Sequence, residues 1–413
     1  MIDDLVAYLQ ISPWPLQPGV VFWSALVLVA GGSLGELVFR KLALPRIVGY
    51  SAVGMVIAVM GQGAGEYYLA GVVRVIVDLA LGLLLFELGS RVSLRWLRAN
   101  PALLCTSLAE AFFSFLAVFA ALRWMGLSLN VAITCATLTM ATSAAVIGRV
   151  ASELHSAGQV TERMVIMTAL NTLFAVLLHK LIIAWLNLDT VGDWMLAITQ
   201  PLYTFGGSFL VAALLCGLVS WIARRLDLRD ENSVLLLLGL IMLALTTARM
   251  FKLSTLLVPL LAGVMLRNTS ERPWVWSRHF GTAGGVLVLM LFVIVGASWS
   301  VQSLVVGGLA ALVLLLVRAL VKGLVVTAGA RWSGISLRQS LALTLALTPI
   351  SGTALVLLAD LQISHPSFAT EVAPIVFSAI AIMELLGPIV VQWALRISGE
   401  LPHSAATKKG TQP

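Results

Sequence analysis

The chain has 413 residues, of which 60% are apolar and 11% are charged, and its mean hydropathy is +1.00. Water-soluble domains carry about 25% charged residues, so this composition excludes a soluble enzyme, a disordered chain and a nucleic-acid-binding protein. The formal net charge of +7 is therefore better explained by orientation in a membrane than by a nucleic-acid partner.

The apolar runs are long enough to cross a bilayer as helices, for which about 20 residues are needed. They are continuous rather than alternating, which favours helices over a transmembrane β-barrel. The sequence predicts an all-α polytopic membrane protein, a single membrane domain over residues 1–413 with about 13 transmembrane helices. In chain order the predicted spans are 19–40, 46–61, 69–88, 101–125, 129–150, 163–187, 200–224, 233–250, 253–267, 282–299, 302–328, 338–360 and 372–396.

Lysine and arginine residues are distributed unevenly over the loops between these spans. Most of the 26 basic residues fall in alternate loops, whereas the remaining loops hold Arg123, Arg249 and Lys252. Because cytoplasmic loops are enriched in basic residues, this pattern predicts an N-terminus outside, a C-terminus inside and a short cytoplasmic tail over 397–413. Together with the lack of a targeting peptide, it favours the bacterial inner (plasma) membrane.

Two predicted spans contain polar interruptions, near residues 139–145 and 347–353. The first is rich in hydroxyl groups, including those of Thr142 and Ser143, and the second places Pro349 between Thr348 and Ser351. Proline removes a helical hydrogen bond, and backbone groups freed inside a membrane need protein or water partners. If the helix at 200–224 is a linker, the interruptions fall at corresponding places in two inverted six-helix repeats, which points to a transporter site at mid-membrane.

Charged side chains within the predicted spans are costly in lipid and are functional candidates. Arg318 and Lys322 lie one helical turn apart on one face, and we expect Glu110, on the equivalent span of the other repeat, to be their counter-charge. Arg74 and Asp78 are also one turn apart, so we expect them to pair with each other. The other intramembrane acids are Asp78, Glu87 and Glu384.

Six short motifs resemble the monovalent cation:proton antiporters of the sodium/hydrogen exchanger superfamily, on the Kef-like side. They occur in the same order and on the same spans as in that family, between about Leu44 and Leu395. The motifs are LPRIVGY from Leu44, LLFELG from Leu84, ATSA from Ala141, LLAG from Leu260, VKG from Val321 and MELLGP from Met383.

This resemblance implies a sodium/proton antiporter-like fold with crossed broken helices. It implies that 19–95 and 233–299 form a scaffold and dimer interface, and that 101–187 and 302–396 form a mobile core, with 200–224 as a linker helix. It further implies alternating access by sliding of the core against the scaffold, in a homodimer embedded in the lipid bilayer. The implied substrates are a monovalent cation, Na⁺ or K⁺, and the proton, with no enzymatic activity and no cofactor.

The chain departs from the family pattern on the sixth span, where the expected acidic pair is replaced by Asn171 and Thr172. Neither side chain titrates at physiological pH, so they are only weak candidates as ligands of a monovalent cation. Lys322 matches the basic residue that pairs with the family's acid. The candidate transport site consists of Thr142, Ser143, Asn171, Thr172, Thr348, Ser351, Lys322, Arg318 and Glu110.

The replacement of the acidic pair allows three interpretations of the function. In the first, another group, Lys322, Glu110 or Glu384, carries the proton. In the second, the protein carries an anion or another solute without proton exchange, because helix N-termini, Lys322 and Arg318 make the site net positive. In the third, it is a transport-inactive membrane sensor or subunit.

Overall fold

A computed structural model describes residues 20–60, 71–191, 194–225, 231–269, 280–350 and 352–402. Within these ranges the chain forms sixteen helices and no strand. In chain order they are α1 (Val20–Leu42), α2 (Arg46–Met60), α3 (Gly71–Ser90), α4 (Leu94–Ala99), α5 (Pro101–Trp124), α6 (Leu129–Leu138), α7 (Ala144–Glu153), α8 (Gln159–Val191), α9 (Trp194–Arg225), α10 (Glu231–Met250), α11 (Leu257–Thr269), α12 (Phe280–Ala297), α13 (Val301–Ser333), α14 (Leu337–Ala346), α15 (Gly352–Ser364) and α16 (Pro366–Ser398).

The outer surface of these helices is apolar. On α13, for example, Leu316, Leu320 and Leu324 are each more than 60% exposed. Six helices of the described residues are long and apolar enough to cross a membrane, and shorter apolar helices pack among them. Lipid tails are as apolar as leucine, so such a surface is stable in a bilayer. The all-α polytopic membrane fold predicted from the sequence is confirmed, while the count of thirteen spans stays a prediction.

Helix boundaries follow the apolar runs closely, with one exception. The structure contains the additional helix α4, whose six residues include Arg95 and Arg98 and whose first turn is capped by the Ser93 side chain. The sequence analysis missed this helix because six residues are too few to show an apolar periodicity.

Two spans are interrupted. The helix α6 ends at Leu138 and α7 begins at Ala144, and α14 ends at Ala346 and α15 begins at Gly352. Both interruptions have the same length, and the same interval along the chain separates their corresponding ends. Each second half-helix follows a serine, Ser143 in one case and Ser351 in the other, although Ser351 lies outside the described residues.

Glycines allow close packing between the first three helices and their counterparts in the second half of the chain. The helix α2 packs on α12, where a Cβ at Gly54 would lie 2.2 Å from the Val293 carbonyl oxygen. The helix α3 packs on α11, where a Cβ at Gly89 would lie 2.3 Å from the Leu260 oxygen and one at Gly263 would lie 2.3 Å from the Phe86 oxygen. The motifs LLFELG and LLAG therefore contact each other through backbone.

Candidate functional site

The two interruptions contact each other in the interior of the protein. The backbone N–H of Ser143 donates to the carbonyl oxygen of Pro349 at 2.9 Å, and the hydroxyl of Thr142 donates to the carbonyl oxygen of Leu347 at 3.4 Å. The Ser143 side chain accepts from the backbone N–H of Val146 at 3.2 Å and so caps α7. The unwound segments thus satisfy part of each other's freed backbone, as a low-dielectric environment demands.

Arg318 of α13 donates hydrogen bonds to backbone carbonyl oxygens of both interruptions. Its Nη1 donates to the oxygen of Thr348, and its Nη2 donates to the oxygens of Ala141 and Leu347, both at 3.3 Å. The Arg318 side chain is among the largest fully buried in the described residues. Its charge is therefore stabilised by backbone oxygens of both interruptions, and the guanidinium holds them together.

Lys322, one turn further along α13, forms a buried ion pair. Its Nζ contacts Oε1 of Glu110 on α5, and both side chains have no exposed surface. The helices α5 and α13 pack along each other, so the two residues meet between them. Glu110 is thus placed as the counter-charge of Lys322.

Asn171 on α8 connects this ion pair to the first interruption. Its Nδ2 donates to Oε2 of Glu110 at 2.9 Å and to Oγ1 of Thr142 at 3.2 Å. The Thr142 oxygen also lies 3.4 Å from Nζ of Lys322, which donates to it. We call Glu110, Thr142, Asn171, Arg318 and Lys322 the crossing cluster.

Two side-chain oxygens on successive residues of α8 have no hydrogen-bond partner among the described residues. They are Oδ1 of Asn171 and Oγ1 of Thr172, and both residues are fully buried. An unsatisfied buried polar atom costs about 1–3 kcal/mol, so its presence calls for an explanation. Neutral oxygens of this kind replace the hydration shell of monovalent cations in ion-conducting proteins.

The remaining candidate hydroxyls serve the helix ends. The Ser143 side chain caps α7, and the hydroxyl of Thr348 donates to the carbonyl oxygen of Leu345 at 2.8 Å. It is the carbonyl of Thr348, rather than its hydroxyl, that accepts from Arg318. Ser351 lies outside the described residues, and an ion-ligand role for these three side chains stays a prediction.

The other intramembrane acids have separate partners. Asp78 on α3 forms an ion pair with Arg249 on α10, and Glu87 near the end of α3 pairs with Arg91, the residue that follows this helix, at 2.7 Å. Oε1 of Glu384 on α16 accepts from the Ser51 hydroxyl of α2 at 3.3 Å. These three partners, Arg249, Arg91 and Ser51, are not members of the crossing cluster.

The expected pairing of Arg74 with Asp78 is wrong. Arg74 Nη2 lies 3.0 Å from Oδ1 of Asp360 on α15, and Lys180 Nζ lies 3.1 Å from Oδ2 of the same carboxylate. A local pair was expected from helical spacing alone, which gives no information on neighbouring helices. Asp360 is the last residue of the predicted span 338–360. The sequence shows only that it is an acid at the end of a span, and it does not show which basic residues of other spans lie beside it.

The family model described as "Sodium/hydrogen exchanger, transmembrane" matches residues 25–397. The chain belongs to the sodium/hydrogen exchanger family. Proteins of this family are membrane transporters rather than enzymes, and the ions that they move are substrates rather than cofactors. The resemblance seen in the sequence motifs is confirmed, whereas the Kef-like branch stays a prediction. A comparison of the sequence with curated proteins finds no match.

Two solved structures share the fold of this family member. Both are structures of the sodium proton antiporter MjNhaP1 from Methanocaldococcus jannaschii. The one at pH 8 has a TM-score of 0.61 and 16% identity, and the match covers 92% of this chain and 95% of that one. The other, an electron microscopy map, has a TM-score of 0.71 and 18% identity, with coverage of 92% and 98%.

Proposed function

We propose that this member of the family exchanges a monovalent cation, Na⁺ or K⁺, for a proton at the crossing cluster. The observation that carries the proposal is the position of Glu110. It brings to Lys322 and Asn171 the carboxylate that α8 lacks at Asn171 and Thr172. The missing acid is therefore supplied from α5 instead of α8.

Conservation of buried charge explains how such a cluster couples a cation to a proton. With Arg318 and Lys322 charged and Glu110 ionised, the empty cluster carries one net positive charge. A cation that entered without compensation would add a second, and two like charges about 4 Å apart repel by about 4 kcal/mol at an effective dielectric constant of 20. Loss of one proton from Lys322 removes this cost, so one cation exchanges for one proton.

The ligands of the incoming cation are the oxygens that the resting cluster leaves open. Oδ1 of Asn171 and Oγ1 of Thr172 have no partner within the described ranges. Oε1 of Glu110 becomes available when neutral Lys322 withdraws from it. This set combines one carboxylate with two neutral oxygens, which a small hard cation accepts.

For the transport cycle we propose a scaffold made of α1–α3 and α10–α12 and a transport core made of α5–α8 and α13–α16, linked by α9. The core slides against the scaffold to give alternating access, and the scaffolds of two copies form a homodimer. The backbone contacts of Gly54 and Gly89 support a rigid scaffold. The loop charges support a bacterial inner membrane with the N-terminus outside.

Reconstituted vesicles loaded with a pH-sensitive dye test the proposal. Addition of Na⁺, K⁺ or Li⁺ to the parent protein should produce a pH change, which Lys322→Ala and Glu110→Gln should abolish. Glu87→Gln is the matched control, because it removes an intramembrane carboxylate outside the cluster. The absence of a signal from the parent with all three cations overturns the proposal.

The net positive charge of the cluster favours a second candidate, a carrier of an anion or another solute without proton exchange. In that case the parent gives no cation-driven pH change, but it takes up an anion such as chloride or acetate into vesicles. Lys322→Ala should then abolish the uptake. A protein that shows neither activity would be a transport-inactive sensor or subunit.

A further inference from the structure

The second half of each broken helix, which belongs to the proposed core, carries a carboxylate at or near its end. Each of these carboxylates contacts the proposed scaffold. Glu153 is the last residue of α7, and its Oε1 lies 3.0 Å from Nη1 of Arg46, the first residue of α2. Asp360 lies near the end of α15, and its Oδ1 lies 3.0 Å from Nη2 of Arg74 on α3. Each bridge therefore joins one half-helix of the core to one arginine of the scaffold.

The two bridges lie at opposite ends of the molecule. The helices α2 and α3 are successive spans, so their first turns, which carry Arg46 and Arg74, face opposite ends of the membrane. Glu153 and Asp360 also occupy nearly the same place in the two repeats, since their intervals from Ser143 and Ser351 differ by one residue. The pair of bridges thus follows the internal symmetry of the chain.

In each bridge, one of the two residues has a second ion-pair partner within its own body, the scaffold or the core. Arg46 also pairs with Glu36 of α1 through its Nε at 2.8 Å, and Asp360 also pairs with Lys180 of α8 at 3.1 Å. Arg46 keeps its scaffold partner and Asp360 keeps its core partner when the bodies separate. Opening therefore breaks one ion pair at each end, and only Glu153 and Arg74 lose their partner.

We propose that the Arg46–Glu153 and Arg74–Asp360 bridges are end latches that hold the transport core against the scaffold and that open when the core slides. Both are closed in this structure. The half-helices α7 and α15 begin at the crossing cluster and reach the latches about 15 Å away. A displacement of either half-helix by an ion at the cluster is thus transmitted along a rigid element to a latch.

The carboxylate of Glu153 is buried at its latch. Glu153 has a side chain that is only 3% exposed, and the backbone N–H of Arg46 donates to the same Oε1 at 3.2 Å. Nearby, the side chain of Gln392 on α16 donates to the carbonyl oxygen of Ala43 at 2.8 Å. The turn between α1 and α2 therefore contacts two helices of the proposed core, α7 through Glu153 and α16 through Gln392.

This inference depends on the proposed division into core and scaffold, but its test does not depend on transport. Spin labels are attached at Met242→Cys on α10 and Leu316→Cys on α13, two lipid-facing positions, after Cys105, Cys135 and Cys216 are replaced by alanine. Distances are measured by pulsed electron paramagnetic resonance in lipid nanodiscs without Na⁺ or K⁺. Labelled protein is diluted with unlabelled protein so that only distances within one copy are recorded.

Arg74→Gln and Glu153→Gln should each raise the population of a second scaffold-to-core distance about threefold, the effect of losing a partly exposed ion pair. The two effects should multiply in the double variant if the latches act independently. Arg91→Gln is the matched control, because it breaks a local ion pair between Arg91 and Glu87 at the end of α3, which does not join the core to the scaffold. Unchanged distances in both variants, or an equal change in Arg91→Gln, overturn the latches.

The failure of one proposal can be told from the failure of the other. If the parent gives no cation-driven pH change but the latch variants shift the distance, the latches stand and the cation exchange is overturned. If the parent exchanges cations for protons but no distance shifts, the exchange stands and the latches are overturned.

Discussion

The crossing cluster and the glycine contacts between α2, α3, α11 and α12, which belong to the proposed scaffold, are both buried but differ in chemistry. At the cluster, two cations, one anion, an amide and a hydroxyl are connected through hydrogen bonds and one ion pair. At the glycine contacts, Gly54 and Gly89 let helix backbones approach each other closely, and the nearest atoms are backbone atoms. The first arrangement responds to any added ion, whereas the second resists displacement. A transporter of the proposed kind needs both properties in separate places.

The largest expected effect is the loss of one half of the buried ion pair. Lys322→Met leaves Glu110 without its counter-charge and should lower the free energy of unfolding by about 3–5 kcal/mol. Glu110→Gln in the same chain should recover most of this stability, because the double variant buries no unpaired carboxylate. Thermal unfolding in detergent, followed by fluorescence, measures the difference. Equal stability of the single and double variants would contradict a direct pairing.

Moving the carboxylate from α5 to α8 tests whether transport requires Glu110 itself or only a carboxylate in the cluster. Glu110→Gln alone should reduce the cation-driven pH change more than about tenfold, because the cluster loses its one acid. Adding Thr172→Asp places a carboxylate beside Asn171, on the helix where the family pattern expects it. The double variant should regain a measurable signal in the vesicle experiment. If it stays as inactive as Glu110→Gln, the position of the acid on α5 is itself required.

The close contact between α2 and α12 in the proposed scaffold is tested by enlarging a side chain. Gly54→Val introduces atoms where a Cβ already lies 2.2 Å from the Val293 oxygen, and it should cost about 1–3 kcal/mol or more through overpacking. Gly239→Val on α10 is the control, because a Cβ there has no neighbour within 4 Å. Unfolding temperatures of the two variants give the measurement. Similar values would show that the α2–α12 contact is not tight.

The smallest expected effect distinguishes two helix caps. Ser143→Ala and Ser128→Ala each remove a side-chain oxygen that accepts from a backbone N–H in the first turn, a change worth about 1 kcal/mol. Stability should fall equally in both variants. The cation-driven pH change should fall only in Ser143→Ala, because that cap lies at the crossing of the interruptions. An equal loss of transport in both would place the effect in stability alone.

Much of the fold was predictable from the order of apolar and polar residues. Helix boundaries follow the apolar runs, since a segment in lipid must satisfy its own backbone, and Pro349 and the hydroxyl run before Ser143 predict the interruptions. The positions of Glu110 and Lys322 as partners followed from the equivalence of their spans in the two repeats. These predictions depend only on the composition of a single span or on the correspondence between equivalent spans of the two repeats.

The sequence by itself determined that the chain lies in a membrane, where its helices run and where two of them break, because hydropathy and proline act locally. Only the tertiary structure decided which charges meet. Arg74 pairs with Asp360 and Asp78 with Arg249, each across a long stretch of chain, because the packing angle of neighbouring helices selects the partner. The same packing placed Asn171 against the ion pair of Glu110 and Lys322 and left its Oδ1 without a partner among the described residues, an arrangement that no spacing in the sequence specifies.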